Sequence, residues 1–314
     1  MRLRRESAQQ QLPEIDPCMG DPAARSFCDA LSARDWPTAR GILERTEHPD
    51  DRAFLLDTAG SALGVQNWIG AVDDPLAQLV QGCHAVAWAW QARGGYQAQY
   101  TRADQFRLFF ERLRIAESCL YDVVARDPDE VAAWAFLVRT ARGLQLPLED
   151  GEFRFRQATE RQPTHLKAHE EWLQTLCAKW QGNEQWMHSF AQDAARRSPD
   201  GSMLHSLVAV AHLEVMTDRE GEAATQYISR ADVRRDLRTA AEYSIWHPAA
   251  QFRPGSAVYL NTFALAFSVS GDLPAAAAVF GQIGGNLTSF PWGYLPGEPA
   301  KNFLIGRNSA LGHA

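Results

Sequence analysis

Prolines recur at a regular spacing in the middle of this chain, each lying between two segments of helical period. Pro128, Pro163 and Pro199, in "RDPDE", "RQPTH" and "RSPDG", are 35 and 36 residues apart. Proline ends a helix because it lacks the backbone N–H and its ring clashes with the preceding turn. Units of about 34 residues that each form a helix–turn–helix are typical of one class of helical repeat. The spacing therefore predicts antiparallel pairs of helices, stacked one on another.

The apolar residues follow a helical period along almost the whole chain. The clearest case is 104–126, "DQFRLFFERLRIAESCLYDVVAR", where steps of three and four form one apolar stripe. Strand-like alternation is essentially missing from the sequence, so we expect an all-α fold. Further helices are expected at 24–34, 36–46, 50–60, 76–93, 129–145, 149–161, 165–180, 184–197, 203–216, 220–244 with a break, 256–270 and 274–284.

Changes in composition divide the chain into three parts. Residues 1–22 are polar and contain prolines, which predicts a flexible arm. Residues 23–284 form the expected helical domain. Residues 285–314 begin with a run rich in Gly, Pro and aromatic residues, "GNLTSFPWGYLPGEPAKNF". Such a run does not sustain a helix, so we expect an irregular tail that Phe290, Trp292 and Tyr294 hold against the last helices.

Particular residues resemble the tetratricopeptide-repeat (TPR) family at matching positions. Trp134 and Leu137 stand where the family keeps Trp and Leu in its first helix, whereas Ala141 replaces the family's Tyr. Other matches are Ala116 before Pro128, Phe155 and Ala158 before Pro163, Ala194 before Pro199, and Gly271, Ala276 and Phe280 in "SGDLPAAAAVFGQI". The chain also resembles an uncharacterised bacterial family of TPR-like proteins in "AWAWQARG", "FFERLRIAE" and "HLKAHEEWLQTLCAKWQG". The resemblance implies a TPR-like α-solenoid and no particular activity.

Charge and cysteine content restrict the classes of partner. The net charge of −7 argues against a nucleic-acid binder, which needs a basic face. No run of 18 apolar residues occurs, which argues against a membrane-spanning helix. The five cysteines contain no CxxC pair and fit no zinc ribbon. We therefore expect a cytoplasmic protein with reduced thiols.

Two arginines are the first candidates for ligand binding. In TPR arrays the first helices of successive repeats line a concave groove, and the register from Pro128 places Arg139 and Arg142 on that side. Two arginines one turn apart can hold a carboxylate through paired hydrogen bonds. TPR domains grip acidic peptide ends with basic groove residues, so the resemblance implies such a role for this pair. The alternative is a pair of solvated or internally paired arginines.

Histidines and tryptophans supply the second set of candidates. His165 and His169 lie four apart, as two metal ligands on a helix would, but no further ligand follows in the sequence, and His169 lies beside an apolar stripe. His84 and Trp88 lie one turn apart on a helix that either lines a cleft or is buried between layers. His212 lies on the flank of a later helix. If the first helices all face one groove, His84, Arg139, His169 and His212 converge there.

These features lead to two competing functions. The first is a non-catalytic scaffold whose concave face binds a protein or peptide, including acidic peptide ends, without a cofactor and without nucleic acid or membrane. The alternative is a small-molecule-binding protein or an enzyme, with or without a metal, whose pocket is built around His84, Trp88, His169 and Trp172. The predicted ligand-binding residues are His84, Trp88, Arg139, Arg142, His169 and His212. No catalytic residue is predicted, and the oligomeric state is left open.

Overall fold

The computed structural model describes residues 12–95 and 100–312, and within those ranges it contains fifteen α-helices and no β-strand. The all-α prediction is therefore confirmed for the part of the chain that the structure covers. Short 3-10 turns at 59–61, 65–67, 69–71, 203–205 and 292–294 join some of the helices. The helices are α1 (Pro22–Ser32), α2 (Trp36–Arg45), α3 (Pro49–Thr58), α4 (Pro75–Arg93), α5 (Ala103–Arg126), α6 (Val131–Leu144), α7 (Leu148–Arg161), α8 (Leu166–Thr175), α9 (Glu184–Arg197), α10 (Ser206–Thr217), α11 (Gly221–Ile228), α12 (Ala231–Glu242), α13 (Ala257–Ser270), α14 (Leu273–Ile283) and α15 (Pro299–Leu311).

Local capping sets several of the helix starts. The side chain of Asn183 accepts a hydrogen bond from the backbone N–H of Trp186 at 2.9 Å, which fixes the first turn of α9. Asp74 accepts from the backbone N–H of Leu76 at 2.8 Å at the start of α4. Pro75 occupies the first position of α4, where no N–H is needed. Such signals depend on neighbouring residues only, and helix starts can therefore be read from the sequence.

The C-terminal segment differs from the irregular tail expected over 285–314, because α15 occupies most of its second half. Pro299 begins this helix, a position where proline is compatible with helical geometry. Phe303 on α15 is buried, and its ring lies edge-on to that of Trp292 with centroids 5.4 Å apart. The Nε1 atom of the fully buried Trp292 donates to the side-chain oxygen of Asn261 on α13 at 2.8 Å. Tertiary packing thus stabilises a helix in a sequence whose prolines suggested none.

The predicted flexible arm, residues 1–22, lies partly outside the described residues, which begin at Leu12. The part that is described forms a turn. The carboxylate of Asp16 accepts hydrogen bonds from the backbone N–H groups of Cys18 at 3.0 Å and Gly20 at 2.8 Å. Cys18 is buried in the core. Residues 12–21 therefore pack against the helices, because Asp16 satisfies the backbone of the turn and Cys18 anchors it.

Most helices that follow one another in the chain contact each other, and a second set of contacts joins helices further apart. Helix α6 packs on α8, α3 contacts both α6 and α8, and α10 contacts both α8 and α13. The buried apolar residues form two large clusters, one centred on α1–α6 and the other on α8–α15. Helices α3, α6, α8, α10 and α13 thus form a connected inner group.

The segment before α13 contacts the N-terminal helices directly. The Nη1 atom of Arg253 lies 3.0 Å from the Oδ2 atom of Asp51 on α3. Gly255 has a φ of +86°, and a Cβ atom placed on it would lie 2.7 Å from the ring of Phe54. Only glycine combines this backbone conformation with so close an approach. Helix α3 and the segment before α13 are therefore in direct contact.

We expect Gly255→Ala to lower the free energy of unfolding by about 1–3 kcal/mol, because it adds both a strained positive φ and an overlap with the Phe54 ring. Urea denaturation followed by circular dichroism measures the change. The control is Gly281→Ala on α14, where a Cβ meets no heavy atom within 4 Å. The Gly281→Ala substitution should raise the free energy of unfolding by about 0.5–1 kcal/mol, since alanine has a higher helix propensity than glycine. Equal stability of the two variants would contradict the assigned contact.

Candidate functional site

The inner helices line a partly open cavity of about 630 Å³. This volume lies within the range of pockets that hold small organic ligands. Its walls come from α3, α6, α8, α10 and α13, together with three irregular segments at 15–19, 251–256 and 288–294. Residues that are far apart in the sequence therefore meet around one space.

Helical spacing explains which side chains of α8 reach the cavity. Lys167, Glu170, Glu171 and Gln174 follow one another at steps of three, one and three, and all four line the cavity. Residues three and four apart lie on one face of a helix. The polar face of α8 is thus turned inward to the cavity rather than outward to solvent.

Charged side chains from three helices meet on this wall. The Nη2 atom of Arg142 on α6 donates to the Oε2 atom of Glu171 at 2.7 Å, and its Nη1 donates to the Glu171 carbonyl at 2.8 Å. Lys167 Nζ lies 3.3 Å from Glu171 Oε1 and 2.8 Å from Asp57 Oδ2 on α3. The network therefore joins α3, α6 and α8.

The charges of this network shift the pKa values of its members. Burial by itself would raise the pKa of Glu171, but the positive charges of Arg142, Lys167 and Arg139 lower it to about 2. Burial by itself would lower the pKa of Lys167, but Asp57 and Glu171 raise it above its ordinary value. Both groups therefore stay ionised at neutral pH.

Arg139 is the least satisfied cation of the wall. Its Nη1 atom lies 3.5 Å from Asp57 Oδ1 and 3.8 Å from Glu171 Oε1, both longer than the Arg142 and Lys167 contacts. Its buried Nε atom has no hydrogen-bond partner among the residues that the structure describes. Its side chain keeps 21% of its surface exposed and lines the cavity. The Arg139 guanidinium is thus positioned to donate hydrogen bonds to a ligand.

Glu170 faces the cavity from the same helix but belongs to a different set of contacts. The hydroxyl of Tyr259 on α13 donates to Glu170 Oε1 at 2.9 Å. Burial raises the pKa of Glu170 to about 7, although Lys167 and the Tyr259 hydrogen bond limit the rise. Glu170 thus exchanges a proton near neutral pH, whereas the adjacent Glu171 stays ionised.

Apolar side chains contribute much of the remaining lining of the cavity. They include Leu207 and Val210 on α10, Val258 on α13, and Ile15 and Phe290 from irregular segments. A cavity with both charged and apolar lining suits a ligand that has an apolar body and a polar end.

The structure brings two of the six predicted ligand-binding residues, Arg139 and Arg142, to the cavity; His84, Trp88, His169 and His212 are not among its lining residues. His84 Nδ1 donates to the carbonyl of Ala59 at 2.9 Å. The ring of Trp88 lies 3.7 Å from the guanidinium carbon of Arg112. The expected convergence of the four groove residues is therefore not observed at this cavity, and the binding role of the other residues stays a prediction.

The remaining two predicted histidines pack within the protein. The Nδ1 atom of His169 donates to the carbonyl of His165 at 2.9 Å, and its ring packs on Phe155 with centroids 5.1 Å apart. His212 Nδ1 lies 2.8 Å from the hydroxyl of Tyr227. Burial lowers the pKa of both histidines, that of His212 to about 3. Both are neutral at physiological pH.

The charged residues around the two arginines were not predicted from the sequence. Asp57, Lys167, Glu170 and Glu171 look like solvated helix residues in the sequence. The available signal was the spacing of Lys167, Glu170, Glu171 and Gln174 along one face. Glu170 and Glu171 do point to different partners, as expected for adjacent residues on a helix.

Within the described ranges, no group of three or more His, Cys, Asp or Glu side chains is arranged to hold a metal ion. Among the helices that the structure covers, none combines the length and hydropathy that crossing a bilayer requires. Neither a protein-family model nor a curated protein matches this chain. The geometry of the cavity is therefore the basis for assigning a function.

We expect Arg142→Met to lower the free energy of unfolding by about 3–5 kcal/mol, because it leaves the buried Glu171 carboxylate without its closest partner. Urea denaturation at pH 7 measures this loss. The loss should shrink as the pH falls from 4.5, the ordinary pKa of glutamate, towards about 2, to which the surrounding cations lower the pKa of Glu171 in the folded protein. The matched control is Arg156→Met on α7, whose contact with Glu160 is exposed. If both variants lose the same small amount, Arg142 does not stabilise the network.

Proposed function

We propose that this chain is a non-catalytic binding protein that takes an amphipathic ligand into the cavity on the inner side of a TPR-like helical array. The repeat arrangement is supported by the packing of successive helices and by the contacts that join α6 to α8 and α10 to α13. The prolines spaced by 35 and 36 residues support it independently.

The observation that carries the proposal is the cavity of about 630 Å³, with a charged wall on α3, α6 and α8 and apolar side chains from α10 and α13 in its lining. A small organic molecule with an apolar body and a charged end matches both the size of this space and the mixture of side chains that line it.

A small organic molecule fits this cavity better than a long peptide does, because segments from distant parts of the chain contribute to its walls. Residues 15–19 and 251–256 line it together, and Arg253 pairs with Asp51 across the junction. The scaffold that the sequence favours, which binds a protein with an acidic end, remains the second candidate. Its support is Arg139, whose guanidinium would bind a terminal carboxylate equally well.

We also propose a cytoplasmic location, as expected from the sequence. All five cysteines are buried and free. Free thiols are the usual state in reducing compartments.

We expect 8-anilinonaphthalene-1-sulfonate (ANS), which joins an aromatic body to one anionic group, to bind the folded protein saturably with one molecule per chain. Val258→Trp places a large ring in the apolar part of the lining and should weaken binding at least about tenfold, a loss of about 1.4 kcal/mol. Fluorescence titration measures the affinity, and thermal melting checks that the variant is folded.

The control is Ile305→Trp on α15, an exposed position that does not line the cavity. It should bind ANS as the unmodified protein does. Equal affinity of Val258→Trp and the control would mean that the probe does not enter the cavity. Displacement of ANS by a short peptide with a free C-terminal carboxylate, but not by decanoate, would favour the second candidate.

A further inference from the structure

The charged wall carries one more positive charge than its paired carboxylates neutralise. Arg139, Arg142 and Lys167 are the cations, and Asp57 and Glu171 are the carboxylates that pair with them. In a site partly screened from water, an unbalanced charge attracts an anion strongly. These ion pairs therefore leave room for one further negative charge; Asp50 on α3 and Glu170 on α8 also line the cavity but belong to none of them.

Two groups can supply that negative charge. One is Glu170, which lies one turn from Lys167 and lines the same cavity. The other is an anionic group of a ligand, which the weakly paired guanidinium of Arg139 can bind. With both present and ionised, the site would hold one negative charge too many, and the two anions would repel each other.

We propose that the ligand carries a single negative charge, such as a carboxylate, that Arg139 binds it, and that its binding is coupled to the uptake of one proton from solvent by Glu170. This inference rests on the proposed function and specifies the ligand class for the same cavity. Protonation removes the charge of Glu170 and leaves a hydroxyl that can donate a hydrogen bond to the incoming anion.

The groups that face Glu170 allow this coupling near neutral pH. Lys167 and Glu171 on α8 and Asp57 on α3 act on it through their charges, and Tyr259 on α13 donates a hydrogen bond to it. Burial raises the pKa of the Tyr259 hydroxyl, so this group stays protonated.

Other ionisable groups around the cavity are less suited to titrate in this range. Asp50 on α3 also has a raised pKa, owing to burial, and is the nearest competitor for the role. His165 beside it has its pKa lowered by burial to about 4 and is neutral at pH 7. Asp50 therefore needs a test of its own.

The experiment compares two probes of nearly the same shape across a range of pH from 6 to 8.5. ANS carries a sulfonate, whereas N-phenyl-1-naphthylamine has the same rings and no charge. ANS affinity should fall by roughly tenfold for each pH unit above 7 at full coupling, since one proton is then required per anion bound. The affinity of the uncharged probe should stay constant.

Substitutions test which residues cause the pH dependence of ANS binding. Glu170→Gln should bind ANS without pH dependence, and Asp50→Asn should keep the dependence. Tyr259→Phe should move the pH at which ANS affinity begins to fall to a higher value, because it removes a hydrogen bond that stabilises the ionised form of Glu170. Arg139→Met should weaken ANS at pH 6 by at least about tenfold and leave the uncharged probe unaffected. Arg156→Met on α7 is the matched arginine control.

The outcomes separate this inference from the proposed function. Saturable ANS binding with the same affinity at every pH would overturn the proton coupling and leave the binding function standing. Loss of pH dependence in Asp50→Asn, with retention in Glu170→Gln, would also overturn the assignment. If neither probe binds the folded protein at any pH, both proposals fail.

Discussion

The inner surface depends on the ion pairs of the buried Glu171 carboxylate. This carboxylate accepts a hydrogen bond from Arg142 on α6 and lies within ion-pair distance of Lys167, which in turn reaches Asp57 on α3. Burying these charges costs several kcal/mol for each ion, so the network is stable only if every member keeps its partners. This requirement fixes the relative positions of α3, α6 and α8. The charged wall of the cavity is thus a consequence of the same contacts that hold those helices together.

Most of the helices could be predicted from the sequence because their signals are local. The stripe expected at 104–126 corresponds to α5, and the range 184–197 is identical to α9. Predictions failed where contacts between distant residues decide the backbone. Helix α8 ends at Thr175 rather than at 180, and the residues after it turn so that Lys179 reaches Glu214 at 2.6 Å and Gln181 reaches the carbonyl of Leu146 at 2.6 Å. Helix α15 forms because Trp292 and Phe303 pack together, which no local pattern reveals.

The candidate site was predictable only in part, for a related reason. Repeat register placed Arg139 and Arg142 on the inner side, and both line the cavity. Register could not tell whether a histidine on a nearby face meets a space or a neighbouring helix, since a shift of one residue turns a side chain by about 100°. His84 meets the carbonyl of Ala59 and is satisfied there. The carboxylates were missed because a charged residue on a helix is usually solvated, and only the fold turns Glu170 and Glu171 inward.

The two adjacent glutamates of α8 serve different roles, one in stability and one in binding. Glu171 is surrounded by Arg142, Lys167 and Arg139, which keep it ionised over the whole physiological range. Burial raises the pKa of Glu170, and the charge of Lys167 and the Tyr259 hydroxyl on α13 lower it only in part, so its charge is held weakly. Protonating Glu170 therefore costs little free energy, whereas protonating Glu171 would weaken the contacts that join three helices. A site that must admit an anion without losing its own packing therefore needs both kinds of carboxylate, and α8 places them side by side, turned towards different neighbours.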